Sequence, residues 1–178
     1  MSLIDATYFR GEINVAQRSQ PAVVENLQYF ITRYEADLLN RLLGLGFAEA
    51  FRAGILAEPT EQRWKDLRDG KVYTTSGETK QWMGFVNEQK LSIIANYVYY
   101  HYIRNDVTQT VGVGQVKSKA ENAAVVSPAP KMSRSWNTML PWIHQLQQFL
   151  EAHASDYPEW KRSEQELCYF SHINDFNL

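Results

Sequence analysis

The chain has 178 residues, of which 44% are hydrophobic and 21% are charged, so it is long enough to bury the core of a single domain, residues 1–178, and too hydrophobic for the disordered class. Its formal net charge of −2 argues against a dedicated nucleic-acid-binding protein, although a local basic patch is compatible with it. Cys168 is the only cysteine, which excludes an intrachain disulfide and favours a reducing compartment. No charged leader precedes an apolar run and no stretch reaches about 20 apolar residues, so we expect a cytosolic product that is not embedded in a membrane.

The first half of the chain predicts three helices. Apolar residues recur at helical spacing from Pro21 to Leu43, with a proline suited to the first turn and glycines just beyond the end. A shorter helix, FAEAFRAG, follows, and a third begins at Pro59 and runs through Leu67. The next stretch, KVYTTSGETKQWMG, is rich in turn residues and is compatible with a small β-hairpin.

Two further helices are predicted in the second half, and both lack charge over long runs. The fourth extends from Phe85 to Arg104, and residues 91–103 contain no Asp, Glu, Lys or Arg. The fifth extends from Ser133 to Ala152, and residues 135–150 are likewise uncharged. Pro141 predicts a kink or a broken start in this helix, because proline removes a backbone donor. The pattern as a whole predicts a mainly α fold, a helical bundle of about four to five helices.

A long segment with few large side chains, residues 105–130, separates these two helices. Connections longer than about 12–15 residues without secondary structure are unusual in a compact domain, so we interpret this one as an extended loop or arm. Alternating Val and Gly at 111–114 also allow a thin ribbon or small β-hairpin, and Lys117 and Lys119 make the segment locally basic. A solvated, mobile loop is the alternative. Residues 160–178 are interpreted as a C-terminal tail.

No catalytic or cofactor-binding motif is recognisable in the sequence. No two histidines are three or four residues apart, so a helical metal clamp of the H-E-x-x-H type is excluded. GVGQVKS, residues 112–118, lacks the third glycine of the dinucleotide fingerprint and the glycine before the lysine of a P-loop. Cys168 and His172 could imitate a thiol and its base, but a buried structural cysteine is the favoured interpretation. We therefore expect no enzyme, no cofactor and no metal, and keep a small enzyme using Cys168 or the histidines as an alternative.

The aromatic content suggests contact between proteins. Aromatic residues make up 13% of the chain, and Tyr, Trp and Phe are enriched where protein surfaces bury one another, while charge is depleted there. Two interpretations stay open: the uncharged helices are the central helices of a monomeric bundle, or part of their surface meets a partner. The second interpretation predicts a partner interface that comprises Tyr97, Tyr100, Val111, Gly112, Val113, Gly114 and Val116. Lys117 and Lys119 are the candidates for contact with DNA.

Three stretches carry a resemblance to a known family: ENLQYFITRYEADLLNRLLGLGFAEAF at 25–51, KLSIIANYVYYHYIRNDVTQTVGVGQVKSKAENA at 90–123 and KMSRSWNTM at 131–139. The tyrosine-rich helix and the segment after it are the most characteristic part. Over most of its length the chain resembles the head-to-tail connector, or adaptor, proteins of tailed bacteriophages, particularly those of Bacteroidetes phages and prophages.

This resemblance implies a helical bundle that forms a ring, commonly of twelve copies, on the tail side of the portal protein. Such a ring extends the DNA channel, passes double-stranded DNA without sequence specificity and receives the next neck or tail protein, and it catalyses no reaction. It is made in the host bacterial cytoplasm and becomes part of the virion at the head–tail neck, without contact with a membrane.

Ring subunits make heterologous contacts, in which each subunit presents different surfaces to its two neighbours. On this interpretation, residues 111–126 form an arm that a neighbouring subunit or the portal orders, through added backbone hydrogen bonds. The alternative is another helical phage assembly or packaging accessory factor, which binds a different partner.

Overall fold

The computed structural model describes residues 2–17, 19–106, 108–111, 114–117 and 127–174. Within these residues the predicted mainly α fold is confirmed, with five α-helices and two separate antiparallel hairpins of two strands. Their order along the chain is α1 Pro21–Leu43, α2 Leu45–Leu56, α3 Gln62–Asp69, β1 Lys71–Thr75, β2 Glu78–Trp82, α4 Ile93–Asp106, β3 Thr108–Val111, β4 Gly114–Lys117 and α5 Ala129–Ala152.

α4 is the central helix of the bundle. It packs against α1 on one side and α5 on the other, and Ile94, Tyr97 and Val98 have no exposed surface. A helix covered on two sides must be uncharged on more than one face, because an unpaired buried charge is strongly destabilising. The uncharged run in α4 is therefore explained by the core of the single chain.

α4 begins at Ile93 rather than at the predicted Phe85, because the residues between them form a hydrogen-bonded turn. The N–H of Leu91 donates to Asn87 Oδ1 at 3.0 Å. Ser92 Oγ donates to the carbonyl of Phe85 at 2.7 Å and accepts the N–H of Ile94 at 3.1 Å. Ser92 thus satisfies a backbone donor in the first turn of α4, as residues at helix starts commonly do.

α5 is continuous from Ala129 to Ala152 and contains Pro141 in its interior, so the predicted broken start is wrong. Pro141 is on an exposed face, where water can satisfy the carbonyl that lost its partner. On the opposite side, Met139 and Ile143 are buried against the core, and this burial stabilises the helix on both sides of the proline.

The KVYTTSGETKQWMG stretch contains the predicted small hairpin, in which β1 pairs with β2. Ser76 and Gly77 at its turn have φ angles of 50° and 79°, as a two-residue turn of type I′ requires. Trp82 is fully buried, and its indole N–H donates to the carbonyl of Leu67 at 2.9 Å. That bond ties the hairpin to the end of α3.

The chain after α5 returns along the bundle. Tyr157 is 1% exposed, and its hydroxyl donates to the carbonyl of Arg63 at 2.7 Å. The guanidinium of Arg63 binds both carboxylate oxygens of Glu159, at 2.8 and 3.0 Å. These contacts fasten the chain to α3 just before the predicted tail, 160–178. None of the described helices is both long enough and apolar enough to cross a lipid bilayer.

α2 approaches α3 closely because Gly54 has no side chain. A Cβ at position 54 would lie 2.1 Å from Nε1 and 2.3 Å from Cδ1 of Trp64. Trp64 is 3% exposed and packs beside Phe47 and Phe51. Its ring cannot withdraw without leaving a cavity in the core, which is itself destabilising.

We predict that Gly54→Ala lowers the free energy of unfolding by about 1–3 kcal/mol, because the clash with Trp64 outweighs the gain in helix propensity. Gly46→Ala is the matched control in α2, since a Cβ at position 46 has no neighbour within 4 Å, and it should be neutral or stabilising by up to about 1 kcal/mol. Urea unfolding followed by circular dichroism measures both variants. Equal stabilities would contradict the packing of Trp64 against α2.

Candidate functional site

The predicted arm contains a β-hairpin that directly follows α4. β3, Thr108–Val111, pairs antiparallel with β4, Gly114–Lys117. Apart from β4, the main neighbour of β3 among the described elements is α4, so the end of the central helix carries the hairpin. Gly112, Val113 and Lys119, which were also predicted as site residues, lie outside the described residues.

The strand register divides the predicted site positions between two faces of the hairpin. Val111 is opposite Gly114, and Val116 is two positions further along β4, so these three positions share one face, because strand positions alternate with period two. Lys117 falls on the other face by the same rule. Among the described positions of the hairpin, the predicted partner positions and Lys117 therefore occupy opposite faces.

Tyr97 and Tyr100 were predicted to meet a partner, but both are buried inside the chain, with exposures of 0% and 9%. The ring of Tyr100 lies 4.8 Å from that of Trp136 in α5, centroid to centroid. The rings of Tyr97 and Trp136 are 6.0 Å apart. α5 and the C-terminal segment cover this face of α4, so neither tyrosine is available to a partner in this structure.

The hydroxyl of Tyr97 is part of a polar network between α4 and α1. It donates to Asp37 Oδ2 at 2.5 Å, and Arg41 Nε donates to the same oxygen at 3.0 Å. Burial acts to raise the pKa of Asp37, but the hydrogen bonds from Arg41 and Tyr97 outweigh it and hold that pKa below its usual value. Burial and the bond to Asp37 both raise the pKa of Tyr97 above its ordinary range.

His101 lies in the same interface as a largely buried, uncharged ring. It stacks on Tyr34 of α1 with 4.0 Å between centroids and 7° between planes, and the edge contact to Tyr97 is 4.6 Å. Its Nε2 has no hydrogen-bond partner among the described residues. Burial lowers the pKa of His101 to about 4 in spite of the nearby Asp37 carboxylate, and the charges of Arg104, Arg41 and Arg33 lower it further.

Residues 165–173 cross this part of the bundle, and we call them the C-terminal strap. The N–H of Glu166 donates to the carbonyl of Arg41 at 2.8 Å. The guanidinium of Arg41 pairs with the Glu166 carboxylate and lies 4.3 Å from the ring centroid of Tyr169. Arg41 therefore joins the Asp37 network to the strap.

The second half of the strap lies on α5. Trp136 stacks on Phe170 with 6.0 Å between centroids, and its indole N–H donates to the carbonyl of Ser171 at 2.8 Å. The side-chain amide of Asn137 binds Ile173 twice: Nδ2 donates to the carbonyl at 2.7 Å, and Oδ1 accepts the N–H at 3.1 Å. An amide that pairs with both backbone groups of one residue acts like a neighbouring β-strand.

A separate cavity of about 380 Å³ lies between the N-terminal segment, α1, α2 and the end of α3. Glu35 on its wall is 7% exposed and accepts the N–H of Leu3 at 3.0 and 2.9 Å and that of Ile4 at 3.4 Å. Burial raises the pKa of Glu35 although these bonds and the charge of Arg52 oppose it. Because the N–H groups of the N-terminal segment donate to this carboxylate, Glu35 fastens that segment to α1.

Cys168 is exposed, so the predicted buried structural cysteine is wrong. It lies in the strap, which runs over the outside of the bundle, and His172 nearby is exposed as well. Among the described residues, no group of three or more His, Cys, Asp and Glu side chains is arranged to hold a metal ion.

Sequence reasoning missed Asp37, Arg41 and His101 as a connected group. Two signals were present: Asp37 and Arg41 are four residues apart on one helix face, and His101 interrupts the tyrosine-rich run of α4. Neither signal indicates that α1 and α4 meet at these positions, since that contact depends on tertiary packing.

We predict that His101 makes stability pH-dependent between about pH 6.5 and pH 4. Its folded-state pKa of about 4 is below the ordinary 6.5, so only the unfolded chain takes up the proton in this window. The contribution of His101 to the free energy of unfolding is then fully present above pH 6.5, and the free energy of unfolding falls by up to about 3 kcal/mol as the pH drops to 4.

Urea unfolding at several pH values should show a flatter pH dependence for His101→Gln than for the wild type. His144→Gln, at an exposed position of α5, controls for the loss of one histidine. If the free energy of unfolding of His101→Gln changed with pH as steeply as that of the wild type, His101 could not be the neutral, buried group described here.

The family DUF6712, described as a family of unknown function, matches residues 42–168. The matched range begins at the end of α1 and includes α2 to α5 and the first part of the strap. No curated protein and no solved structure matches the chain. Because the family match covers more than half of the sequence, the chain belongs to the DUF6712 family.

Proposed function

We propose that this chain is a structural virion protein of a tailed bacteriophage. It forms a ring between the portal of the head and the neck or tail, and extends the DNA channel. The observation that carries the proposal is the β3–β4 hairpin at the end of the central helix, in which Val111, Gly114 and Val116 share one face and Lys117 is on the other.

A two-stranded hairpin of this kind is suited to contact with a partner. It has too few strands to bury a core of its own, and an isolated hairpin is marginally stable in water. A neighbouring protein that covers the face of Val111 and Val116, or adds a strand to an open edge, would stabilise it. In a ring, that neighbour is the next copy or the portal, and Lys117 on the opposite face would meet passing DNA.

The described surface also offers a second, different patch, which a heterologous ring contact needs. Val24 and Tyr29 on the N-terminal half of α1 are 38% and 57% exposed. Together with Pro21 and Gln28 they line a shallow surface groove. In the proposed ring, each copy would present this patch of α1 to one neighbour and the hairpin to the other.

The fold and the sequence resemblance support the same proposal. Connector proteins are expected to be helical bundles, and this chain is one. Because Tyr97 and Tyr100 are buried in the bundle, we assign the partner contact to the hairpin that follows α4. Fold alone does not specify function, so the proposal requires a test of partners.

The test is a tagged pull-down of the chain from cells that produce the whole phage, with mass spectrometry and negative-stain imaging of the recovered particles. We predict recovery of a portal-sized ring with this protein on its tail side. Val111→Ser/Val116→Ser should lower portal recovery at least tenfold, because it removes two apolar contacts at the interface.

Val72→Ser is the matched control, because Val72 is a 61% exposed valine in the other hairpin, and it should recover the portal as the wild type does. Recovery of the chain alone, or with a partner outside the virion, would overturn the proposal. Recovery with a different phage assembly or packaging protein would favour the accessory-factor alternative.

A further inference from the structure

The C-terminal strap is held as a docked peptide is held. Three residues of the bundle make four hydrogen bonds to its backbone: Trp136 binds the carbonyl of Ser171, Asn137 binds both backbone groups of Ile173, and the carbonyl of Arg41 accepts the N–H of Glu166. Leu167–Tyr169 in the strap form a short 3-10 helix, and the contacts to the main chain on both sides of it hold the strap in a fixed register, as backbone hydrogen bonds do in peptide recognition. Any segment with the same backbone course can make them.

Two aromatic side chains of the strap add sequence specificity. Phe170 stacks on Trp136 with 23° between ring planes, and Tyr169 lies under the guanidinium of Arg41. Tyr169 is nevertheless 38% exposed, so the strap lies in a surface groove and is not enclosed by the core.

The chain before the strap changes from firm anchorage to exposure within a few residues. Tyr157 is buried and Glu159 is paired with Arg63, whereas residues 161–164 are all exposed. Their ion pairs, Lys161 with Glu164 and Arg162 with Glu151, are on the surface, where such pairs contribute little. We therefore assign a hinge to residues 161–164, where Arg162–Glu164 form one short 3-10 helix between the anchored segment and the strap.

A close backbone approach marks the point where this hinge passes the bundle. Gly44, between α1 and α2, has a φ of +82°, and a Cβ there would lie 2.7 Å from Cβ of Glu164. Glycine both allows this backbone conformation and leaves room for the crossing chain. The hinge therefore passes the bundle beside Gly44 and the exposed Leu45.

We infer that the groove formed by Arg41, Trp136 and Asn137 is a peptide-binding surface, and that its partner is the strap of a second copy of this chain. Exchange of straps between two copies keeps the contacts between strap and groove and changes only which chain provides the strap. The hinge of four residues spans at most about 13 Å, so exchange requires a copy that lies directly alongside. This inference goes beyond the proposed function, because it requires only two adjoining copies, whatever they assemble into.

The inference can be tested with two complementary full-length variants. The acceptor, Phe170→Ala/Ile173→Ala, keeps the groove and weakens its own strap. The donor, Arg41→Ala/Asn137→Ala, keeps the strap and weakens its own groove. The donor carries a fluorophore on Cys168, which is exposed and is the only cysteine.

Titration of the labelled donor with unlabelled acceptor should give a saturable rise in fluorescence anisotropy. The matched control acceptor carries Asn137→Ala in addition, and it should bind at least tenfold more weakly. Two results would overturn the inference when circular dichroism shows all variants folded: no saturable binding, or equal binding by both acceptors, which would locate the contact elsewhere.

A second measurement uses the wild-type fold and does not depend on the variants. A synthetic peptide of residues 163–174 with Cys168→Ser is added at about millimolar concentration, to compete with the tethered strap, to the wild-type chain labelled on Cys168. It should release the strap and lower the anisotropy of the label, whereas a peptide that also carries Phe170→Ala and Ile173→Ala should not. Equal effects of the two peptides, or no effect of either, would overturn the inference.

Discussion

The burial of α4 between α1 and α5 is the constraint on which the rest of the structure depends. In a helix covered on both sides, a polar atom is destabilising unless a neighbour satisfies it. The hydroxyl of Tyr97 meets this requirement through Asp37, and Asp37 in turn through Arg41. Arg41 reaches the strap, so one buried tyrosine is linked to the C-terminal end of the described chain.

The same helix determines where the hairpin lies. α4 ends at Asp106 and β3 begins at Thr108, so the direction of a well-packed helix determines where the hairpin starts. Apart from β4, α4 is the main neighbour of β3 among the described elements. In the proposed ring, the hairpin at the end of this helix is the arm that a partner completes.

Both proposed contact surfaces lie outside the core that α1, α4 and α5 form. The proposed hairpin contact uses β3 and β4, and the groove under the strap is filled by a peptide-like segment attached through an exposed hinge. Both proposals concern assembly between chains, in accord with the ring proposed from the resemblance to phage connectors. They are independent of each other: the hairpin could engage a portal without any exchange of straps, and straps could be exchanged in a different assembly.

The sequence by itself determined the local features. The helical spacing from Pro21 to Leu43 predicted α1 with its observed bounds, the turn residues before Trp82 were compatible with the β1–β2 hairpin, and the uncharged runs indicated two helices buried either in the core or against a partner. Each of these depends on residues close together along the chain, so composition and periodicity were sufficient.

Only the tertiary structure decided what covers each surface. Periodicity shows that Tyr97 and Tyr100 are on an apolar face, but not that Trp136 and the strap lie over it, so these tyrosines were assigned to a partner. The exposure of Cys168 and the pairing of Asn137 with Ile173 were missed for the same reason. These features depend on residues distant in sequence, and the physical rules that connect sequence to local conformation do not specify which distant segment a face will meet.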